Sequence, residues 1–474
     1  MDNQALTFTP AHQLTRLIAD RKISSVELTE FFLRRIEQIN PSINAYLTVD
    51  GDQALDQALK ADQDIQQKSD IGPLHGIPIG IKDLTETAGL RTTFGSKIHE
   101  NYIPKVDDLT ASKIRSSGAI ILGKTNTPEF GHSATTENVL GDACRNPWDI
   151  SKTSGGSSGG ATAGLAAGLH PIASGSDGGG SIRIPASFCG VFGIKPTQSR
   201  VARNYYPPGG WRMFSQNGPL SNNVRDSAIL LEVMAGPDES DPLTIKENVP
   251  NFSSELETGI EGLKVGWSPD FGGAPMEKEV QEITASSMKV FSDLGAEVHE
   301  IDLDLDHELI LQTFDTIWIS DQLANFSKYI ESHSEVMSSS FLRELKRGTG
   351  WTASQLALAL RELEWHKHRI DKIVTTFDVL ITPTTATTAF KVGERPSIIG
   401  GIEVPPWFGF TPFSYPFNMS GHPAASIPCG FNSDGMPVGL QVIGHRWEES
   451  KVLGVCSAFE KAKPWAGVRP AISG

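Results

Sequence analysis

A lysine and two serines are the residues of this chain whose types and surroundings best suit covalent chemistry. Lys82 lies near the end of the apolar run GIPIGIKD, Ser157 lies in GGSSGG, and Ser181 follows three glycines in GSDGGGSIRIPA. A serine hydroxyl becomes a strong nucleophile when a neighbouring base takes its proton. Because none of these motifs contains a histidine, a neutral lysine acting through a second hydroxyl is the base that they offer. The three residues together predict acyl transfer to a serine.

The lysine must lose its proton to act as this base. An ordinary lysine has a pKa of about 10.4, so deprotonation at pH 7 costs about 4.6 kcal/mol, at roughly 1.36 kcal/mol per pH unit. Burial after the apolar residues IPIGI lowers the pKa of an ammonium group, because desolvation disfavours its charge. We therefore expect Lys82 to be buried.

Glycines surround both serines, and the stretch from 155 to 193 contains 12 of the 46 glycines in the chain. Without a Cβ atom, successive glycines can turn their N–H groups toward one point. The oxyanion of a tetrahedral intermediate needs donors at about 3 Å. Gly178, Gly179 and Gly180 are the predicted oxyanion hole.

From Gly155 to Ala186 the sequence resembles the long signature of the amidase signature family, G-G-S-S-G-G followed by G-x-D-x-G-x-S-I-R-x-P, with one departure at Thr162. The resemblance extends to GIPIGIKD upstream and to DVLITPT, NMSGHPAASIP and GLQVIG downstream, and covers residues from about 70 to 445. It implies that Ser181 is the acylated nucleophile. Ser157 would be a bridging serine next to a cis peptide, and Lys82 the base. It also implies a central mixed β-sheet with α-helices on both faces.

Other interpretations of these motifs stay open. Taken alone, Lys82 could form a surface ion pair with Asp83, and either serine could cap a helix or lie in a turn. The segment 118–125, GAIILGKT, fits the phosphate-loop pattern, but its central residues are apolar and predict a strand. The segment 155–159 fits the nucleophile elbow G-x-S-x-G, but the polar NPWDISKTS precedes it where an elbow needs a buried strand.

The elements that must position these residues predict an α/β fold. Short apolar runs between 71 and 134 predict buried strands, and ATAGLAAGL predicts a helix after Ser157. A strand, a helix and a strand follow over 263–305, and 306–372 is mainly helical in pattern. Strands return in DVLITPT, AASIPCG and GLQVIG.

The length of 474 residues permits one large domain or two. We expect an N-terminal helical segment, 1–65, packed on a single catalytic domain, 66–474. In the first segment Ser24 and Glu27 have the spacing of a capping box, and Pro41 is predicted to end the helix.

Aromatic residues in two loops predict the substrate pocket. NYYPPGGWRMFSQNG at 204–218 combines turn residues with large side chains, and a second aromatic stretch lies at 407–417. The residues predicted to bind substrate are Trp211, Met213, Phe214 and Phe410. If both loops border the site, they favour an apolar or aryl amide substituent, and the alternative is that they pack the loops onto the body.

The predicted function is hydrolysis of linear carboxamides, with esters and carbamates as further substrates of the same nucleophile. The alternative is the glutaminase subunit of an aminoacyl-tRNA amidotransferase. In that subunit, resemblance implies an acidic residue before the N-x-x-G-x-P stretch, whereas here no Asp or Glu occurs between Glu403 and Asp434, and Thr411 stands about where the acid would be. A silent binding protein and a nucleotide enzyme are weaker alternatives.

The composition of the chain restricts the classes of partner and cofactor that we expect. The 41 basic and 56 acidic residues give a net charge of −15, which disfavours nucleic acid and acidic membranes as partners. Four dispersed cysteines predict reduced thiols, and no His or Cys spacing predicts a metal site or another cofactor. Without a signal peptide pattern or a long apolar window, we expect a cytoplasmic enzyme that binds a small-molecule amide, with a homodimer left open.

Overall fold

The computed structural model describes residues 6–69, 71–204 and 213–473, and eleven strands in these ranges form one mixed sheet. With two short separate pairs, the described ranges contain fifteen strands: β1 (Tyr46–Val49), β2 (Pro78–Lys82), β3 (Ile120–Thr125), β4 (Arg145–Asn146), β5 (Asp149–Thr153), β6 (Ile172–Asp177), β7 (Phe192–Lys195), β8 (Gln216–Ser221), β9 (Lys264–Trp267), β10 (Glu297–Glu300), β11 (Val379–Pro383), β12 (Ile398–Ile399), β13 (Ile402–Glu403), β14 (Ala424–Phe431) and β15 (Pro437–Gly444). The large sheet has the order β1-β3-β2-β6-β8-β7-β14-β15-β11-β9-β10, and β4–β5 and β12–β13 form separate pairs.

Helices connect these strands. The α-helices in the described ranges are α1 (Ala11–Ala19), α2 (Ser25–Ile43), α3 (Gly51–Gln67), α4 (Leu109–Ser116), α5 (Gly159–Ala166), α6 (Arg183–Cys189), α7 (Val224–Met234), α8 (Lys278–Asp293), α9 (His307–Ser332), α10 (Ser339–Gly348), α11 (Ala353–Val374), α12 (Tyr415–Ser420) and α13 (Glu449–Ala462). Short 3-10 helices lie at Lys97–His99, Glu129–Gly131 and Ala471–Ser473. None of the helices in the described ranges is both long enough and apolar enough to cross a bilayer.

The sheet contains two parallel groups of strands separated by antiparallel strands, and its edge strand β1 is antiparallel to β3. Strand β2 is parallel to both β3 and β6, and β9 is parallel to both β10 and β11. The strands between these groups pair antiparallel. The predicted α/β class with a mixed central sheet is confirmed.

Around β11, the two faces of the sheet contribute to different cores. On β11, Val379 and Ile381 pack into one core, whereas Leu380 packs into the other. This follows from the alternation of side chains along a strand. The first core includes residues of α1, α2, α7, α8 and α13, and the second includes residues of α6, α9, α11 and α12. Helices therefore cover both faces, as the sequence predicts.

The N-terminal helices belong to the first core. Leu14 and Phe32 pack in the same cluster as Ile79 and Ile121 of the sheet. Ser24 and Glu27 form the predicted capping box. The predicted helix end at Pro41 was wrong, because α2 continues to Ile43. A proline cannot donate a hydrogen bond to the helical carbonyl four residues earlier, and its ring crowds that carbonyl group. Pro41 lies in the last turn of α2, so few helical hydrogen bonds are affected.

The segment that matches the phosphate-loop pattern is a buried strand. Residues 120–125 form β3, and Lys124 is fully buried. Its ammonium group donates to the hydroxyl oxygens of Thr87 at 3.0 Å and Thr92 at 3.1 Å, and to the carbonyl oxygen of Thr85. Burial lowers the pKa of Lys124 to about 8. This lysine therefore anchors the loop that follows β2.

The start of α5 provides a test of the packing that positions the site. A methyl group at Gly160 would collide with the backbone nitrogen of Asn126 and the carbonyl oxygen of Ala45. We expect Gly160→Ala to lower the free energy of unfolding by about 1–3 kcal/mol, measured by urea denaturation. Gly350→Ala is the matched control, because a methyl group there has no neighbour within 4 Å. Equal urea midpoints for the two variants would contradict the packing.

Candidate active site

The amine of Lys82 lies in a buried group of serine oxygens. Its nitrogen is 2.7 Å from Ser157 Oγ, 2.8 Å from Ser158 Oγ and 3.0 Å from Ser176 Oγ. It also donates to the carbonyl oxygen of Ser176 at 3.2 Å. Lys82 ends β2, and Ser176 lies near the end of the parallel strand β6. The carboxyl ends of these two strands therefore meet at the site, which is where α/β sheets commonly bind ligands.

The surroundings favour the neutral form of this lysine. The side chain is 1% exposed, and desolvation is the largest reason why its pKa lies well below the ordinary value of 10.5. The Asp177 carboxylate raises the pKa of Lys82, whereas the Arg203 guanidinium lowers it. The amine bonds only to hydroxyl and carbonyl oxygens among the described residues. Lys82 therefore has the environment that a lysine base requires.

Ser157 lies in a tight loop, after a cis peptide bond that joins it to Gly156. A Cβ atom on Gly156 would lie 2.6 Å from the carbonyl carbon of Thr135, so glycine is required there. The Thr136 hydroxyl donates to the carbonyl oxygen of Gly155 at 2.8 Å. The loop thus rests on residues 135–136, and Ser157 is only 2% exposed.

Ser181 lies between the end of β6 and the start of α6. Its carbonyl oxygen accepts the N–H of Ser158 at 3.1 Å, so the two serine-bearing loops are joined next to Ser157. Ser181 is partly exposed, whereas Lys82 and Ser157 are buried. Of these three residues, Ser181 is therefore the one that a substrate can reach.

A buried ion pair holds the turn that carries Ser181. Arg183 donates to both carboxylate oxygens of Asp177 at 2.9 Å, and Asn418 donates to one of them at 2.9 Å. The same carboxylate accepts the backbone N–H of Gly180 at 2.7 Å and that of Ile182 at 3.2 Å. Burial opposes ionisation of Asp177, but the nearby guanidinium and hydrogen bonds hold its pKa well below the ordinary value.

The three predicted oxyanion donors differ in availability. The N–H of Gly180 already donates to Asp177. Within the described ranges, no acceptor bonds to the N–H of Gly178, Gly179 or Ser181. Gly179 also has close contact with Phe314, whose ring atom would lie 3.0 Å from an added Cβ. Among the described residues, the N–H groups of Gly178, Gly179 and Ser181 are therefore the donors on the turn that remain available to an oxyanion.

A small cavity opens beside Ser181. Its lining residues are Gly131, His132, Ser133, Ala134, Gly179, Ser181, Ile184, Phe314, Trp318 and Phe408. The ring of Phe408 is edge-on to Phe314 and Trp318, with both centroid distances at 5.3 Å. One wall of the cavity is therefore aromatic and suits an apolar group.

Two histidines outside the signature, His132 and His422, are buried and hydrogen-bonded. His132 Nδ1 lies 2.7 Å from the carbonyl oxygen of Glu129, and Nε2 lies 3.1 Å from Ser340 Oγ. The Nδ1 atom of His422 lies 2.9 Å from Ser420 Oγ. Burial lowers the pKa of His132 to about 3, and that of His422 to about 2. Both imidazoles therefore already have hydrogen-bond partners, and their lowered pKa favours the neutral form near neutral pH.

The predicted substrate-binding residues take different places. Phe214 is buried and stacks on Phe314, a cavity residue, at a centroid distance of 5.7 Å. Phe410 packs between two phenylalanine rings and is not among the residues that line the cavity. Met213 is 43% exposed and is likewise absent from the lining, and Trp211 lies outside the described residues.

Sequence reasoning missed two cavity residues on α9. Phe314 and Trp318 are four positions apart and therefore share one face of the helix. This spacing was the available signal, but it is also typical of ordinary core packing.

No three His, Cys, Asp or Glu side chains in the described ranges are arranged to hold a metal ion.

Comparison with known proteins gives one family. The amidase family model matches residues 27–453. The chain is 37% identical to a glutamyl-tRNA(Gln) amidotransferase subunit from Thermoanaerobacter pseudethanolicus, over 98% of each chain. It is 34% identical to an acylamidase of Rhodococcus erythropolis, over 100% of this chain and 99% of that one.

The fold leads to the same family. The crystal structure of a bacterial aryl acylamidase of the amidase signature family superposes with a TM-score of 0.92. The two chains are 29% identical, and the superposition covers 97% of each. The chain belongs to the amidase signature family and is an amidohydrolase that acts on carbon–nitrogen bonds.

Proposed function

We propose that this chain hydrolyses linear carboxamides with hydrophobic or aryl groups, through an acyl-enzyme on Ser181. The observation that carries the proposal is the 2.7 Å contact between the buried amine of Lys82 and Ser157 Oγ. A neutral amine can remove a proton from a hydroxyl at this distance. The partly exposed Ser181 is the hydroxyl that can attack a substrate.

The proposed first step forms a tetrahedral intermediate on Ser181. Lys82 takes a proton from Ser157 while Ser157 takes the proton of Ser181. The Ser181 oxygen bonds to the carbonyl carbon, and the carbonyl electron pair moves to its oxygen. The N–H groups of Gly178, Gly179 and Ser181 stabilise the resulting oxyanion. This assignment replaces the occupied N–H of Gly180 with that of Ser181.

The same residues complete the turnover. As the C–N bond breaks, the proton on Lys82 passes through Ser157 to the leaving nitrogen, and the amine departs. Water then attacks the ester of Ser181, and the relay takes its proton. Return of that proton to the serine oxygen releases the carboxylic acid.

The cavity supports a preference for apolar groups. Ala134 and Ile184 lie on its lining together with the aromatic wall of Phe314, Trp318 and Phe408. An acyl or amine substituent that fills this space removes apolar surface from water. Esters and carbamates present the same carbonyl to the same nucleophile and are proposed as additional substrates.

The second candidate is the glutaminase subunit of an amidotransferase. The 37% identity to such a subunit favours it. Thr411 weighs against it, because it stands about where an acidic residue is expected and its hydroxyl donates to the carbonyl oxygen of Phe408 at 3.1 Å. A buried threonine in this bond offers no charge to a substrate ammonium group.

Removal of the proposed nucleophile is the first test. We expect Ser181→Ala to lower kcat/KM for an aryl anilide by about 10⁴-fold, because the remaining groups cannot form an acyl-enzyme. Mass spectrometry of the wild type after rapid quenching should show the acyl adduct on Ser181. Ser151→Ala, on an exposed hairpin position, is the control. Anilide hydrolysis that survives in Ser181→Ala would refute the nucleophile.

The proposed base predicts a pH dependence. Since only neutral Lys82 is active, kcat/KM should rise with pH, with a midpoint well below the ordinary lysine pKa of 10.5. The Arg203 guanidinium lowers the pKa of Lys82, so Arg203→Gln should move this rise to higher pH. Arg225→Gln, on a surface ion pair with Glu257, should leave the profile unchanged. A wild-type midpoint at or above the ordinary lysine pKa of 10.5 would contradict the assignment of Lys82.

Parallel assays with two substrates separate the two candidate functions. We expect the purified chain to hydrolyse an aryl anilide and to release no ammonia from glutamine. Thr411 stands about where the acidic residue is expected, and it offers no charge to the ammonium group of glutamine. A coupled ammonia assay and anilide release measure the two activities in parallel. Glutamine-dependent ammonia release together with co-purified partner subunits would favour the amidotransferase alternative instead.

A further inference from the structure

A segment from distant sequence crosses the active-site loops. Residues 388–409, here called the strap, lie beside the hairpin that leads to Ser157. Thr153 donates its N–H to the carbonyl oxygen of Phe390 at 2.8 Å, and Val392 donates to that of Ser151 at 3.0 Å. Trp407 and Phe408 lie close to the end of the strap and near the cavity, so the strap connects the hairpin to the aromatic wall.

Arg395 makes the central contacts of the strap. Its guanidinium donates to Ser133 Oγ at 2.8 Å and to Thr135 Oγ1 at 3.2 Å. The same group lies over the ring of Trp407, with 3.8 Å between the guanidinium carbon and the ring centroid. A planar guanidinium can stack and donate at once, which a lysine ammonium cannot do in the same way.

The contacts of Arg395 connect two walls of the cavity. On one side, His132, Ser133 and Ala134 line the cavity, and Thr135 packs against the glycine before Ser157. On the other side, Phe408 follows the stacked tryptophan directly and belongs to the aromatic wall. The two walls are also in contact through His132 and Trp407, whose rings are 5.8 Å apart.

We propose that Arg395 is a positioning residue that fixes the spacing between the His132–Thr135 wall and the Trp407–Phe408 wall, and thereby selects substrates with an aryl group. The inference rests on the proposed amidase function. Arg395 is not one of the residues that line the cavity, and it acts on substrate through the walls that it joins. Its loss should therefore impair aryl substrates more than small ones.

The kinetic test compares a large and a small amide. In Arg395→Met, we expect KM for an aryl anilide to rise about five- to tenfold, from loss of a stacked, charge-assisted contact. The kcat for a short aliphatic amide should stay within about twofold, because the hydrogen bonds of Arg395 go to Ser133 and Thr135 and not to Lys82, Ser157 or Ser181. Arg395→Lys, which retains only the charge and a donor, should be intermediate. Arg361→Met, an exposed position on α11, is the control.

Binding measurements separate this inference from the proposed function. Isothermal titration calorimetry can measure binding of the anilide without turnover. The comparison is between the Ser181→Ala variant and the double variant that also carries Arg395→Met. Weaker anilide binding in the double variant supports the positioning role even if wild-type hydrolysis is absent. Equal losses of kcat for both amides, or unchanged anilide binding, would overturn the inference. Near-identical circular dichroism spectra and urea midpoints would exclude a folding defect as the cause.

Discussion

The burial of one amine among uncharged oxygens is the constraint on which this site depends. Desolvation of the ammonium form favours neutral Lys82, while four hydrogen-bond contacts keep the nitrogen in place. A carboxylate bonded directly to the amine would stabilise the ammonium form. The nearby Asp177 is instead bonded to Arg183 and to the turn below Ser181. The carboxylate that holds the turn carrying Ser181 is therefore paired with Arg183 and not with Lys82.

Close backbone packing makes this arrangement specific. The parallel strands β2 and β6 bring Lys82 and Ser176 to one edge of the sheet. The loop of Ser157 rests directly on the backbone of Thr135, where only glycine fits. These contacts join segments far apart in the sequence, so small shifts in one would move the hydroxyls away from the amine. Rigid elements of this kind are what precise catalytic geometry requires.

The amidotransferase and acylamidase relatives differ in the reaction that their names describe, although both match nearly the whole chain. The aromatic residues that line the cavity lie outside the signature. The aromatic wall comes from α9 and the strap, and Thr411 lies just beyond Phe408. Loops and helices around a common reaction centre are where enzymes of one fold commonly diverge in specificity.

The sequence by itself determined the α/β class, seven of the fifteen strands in the described ranges and the local motifs, because hydrophobic period and glycine spacing are local properties. It also placed Lys82 and the two serines in motifs that suit one chemistry. It did not determine the end of α2 at Ile43, where tolerance of Pro41 depends on position in the last turn. Only the tertiary structure decided that Phe410 packs in a core while Phe314 and Trp318 line the cavity. An aromatic residue has the same local pattern in both settings, and which surface it meets depends on how distant segments pack.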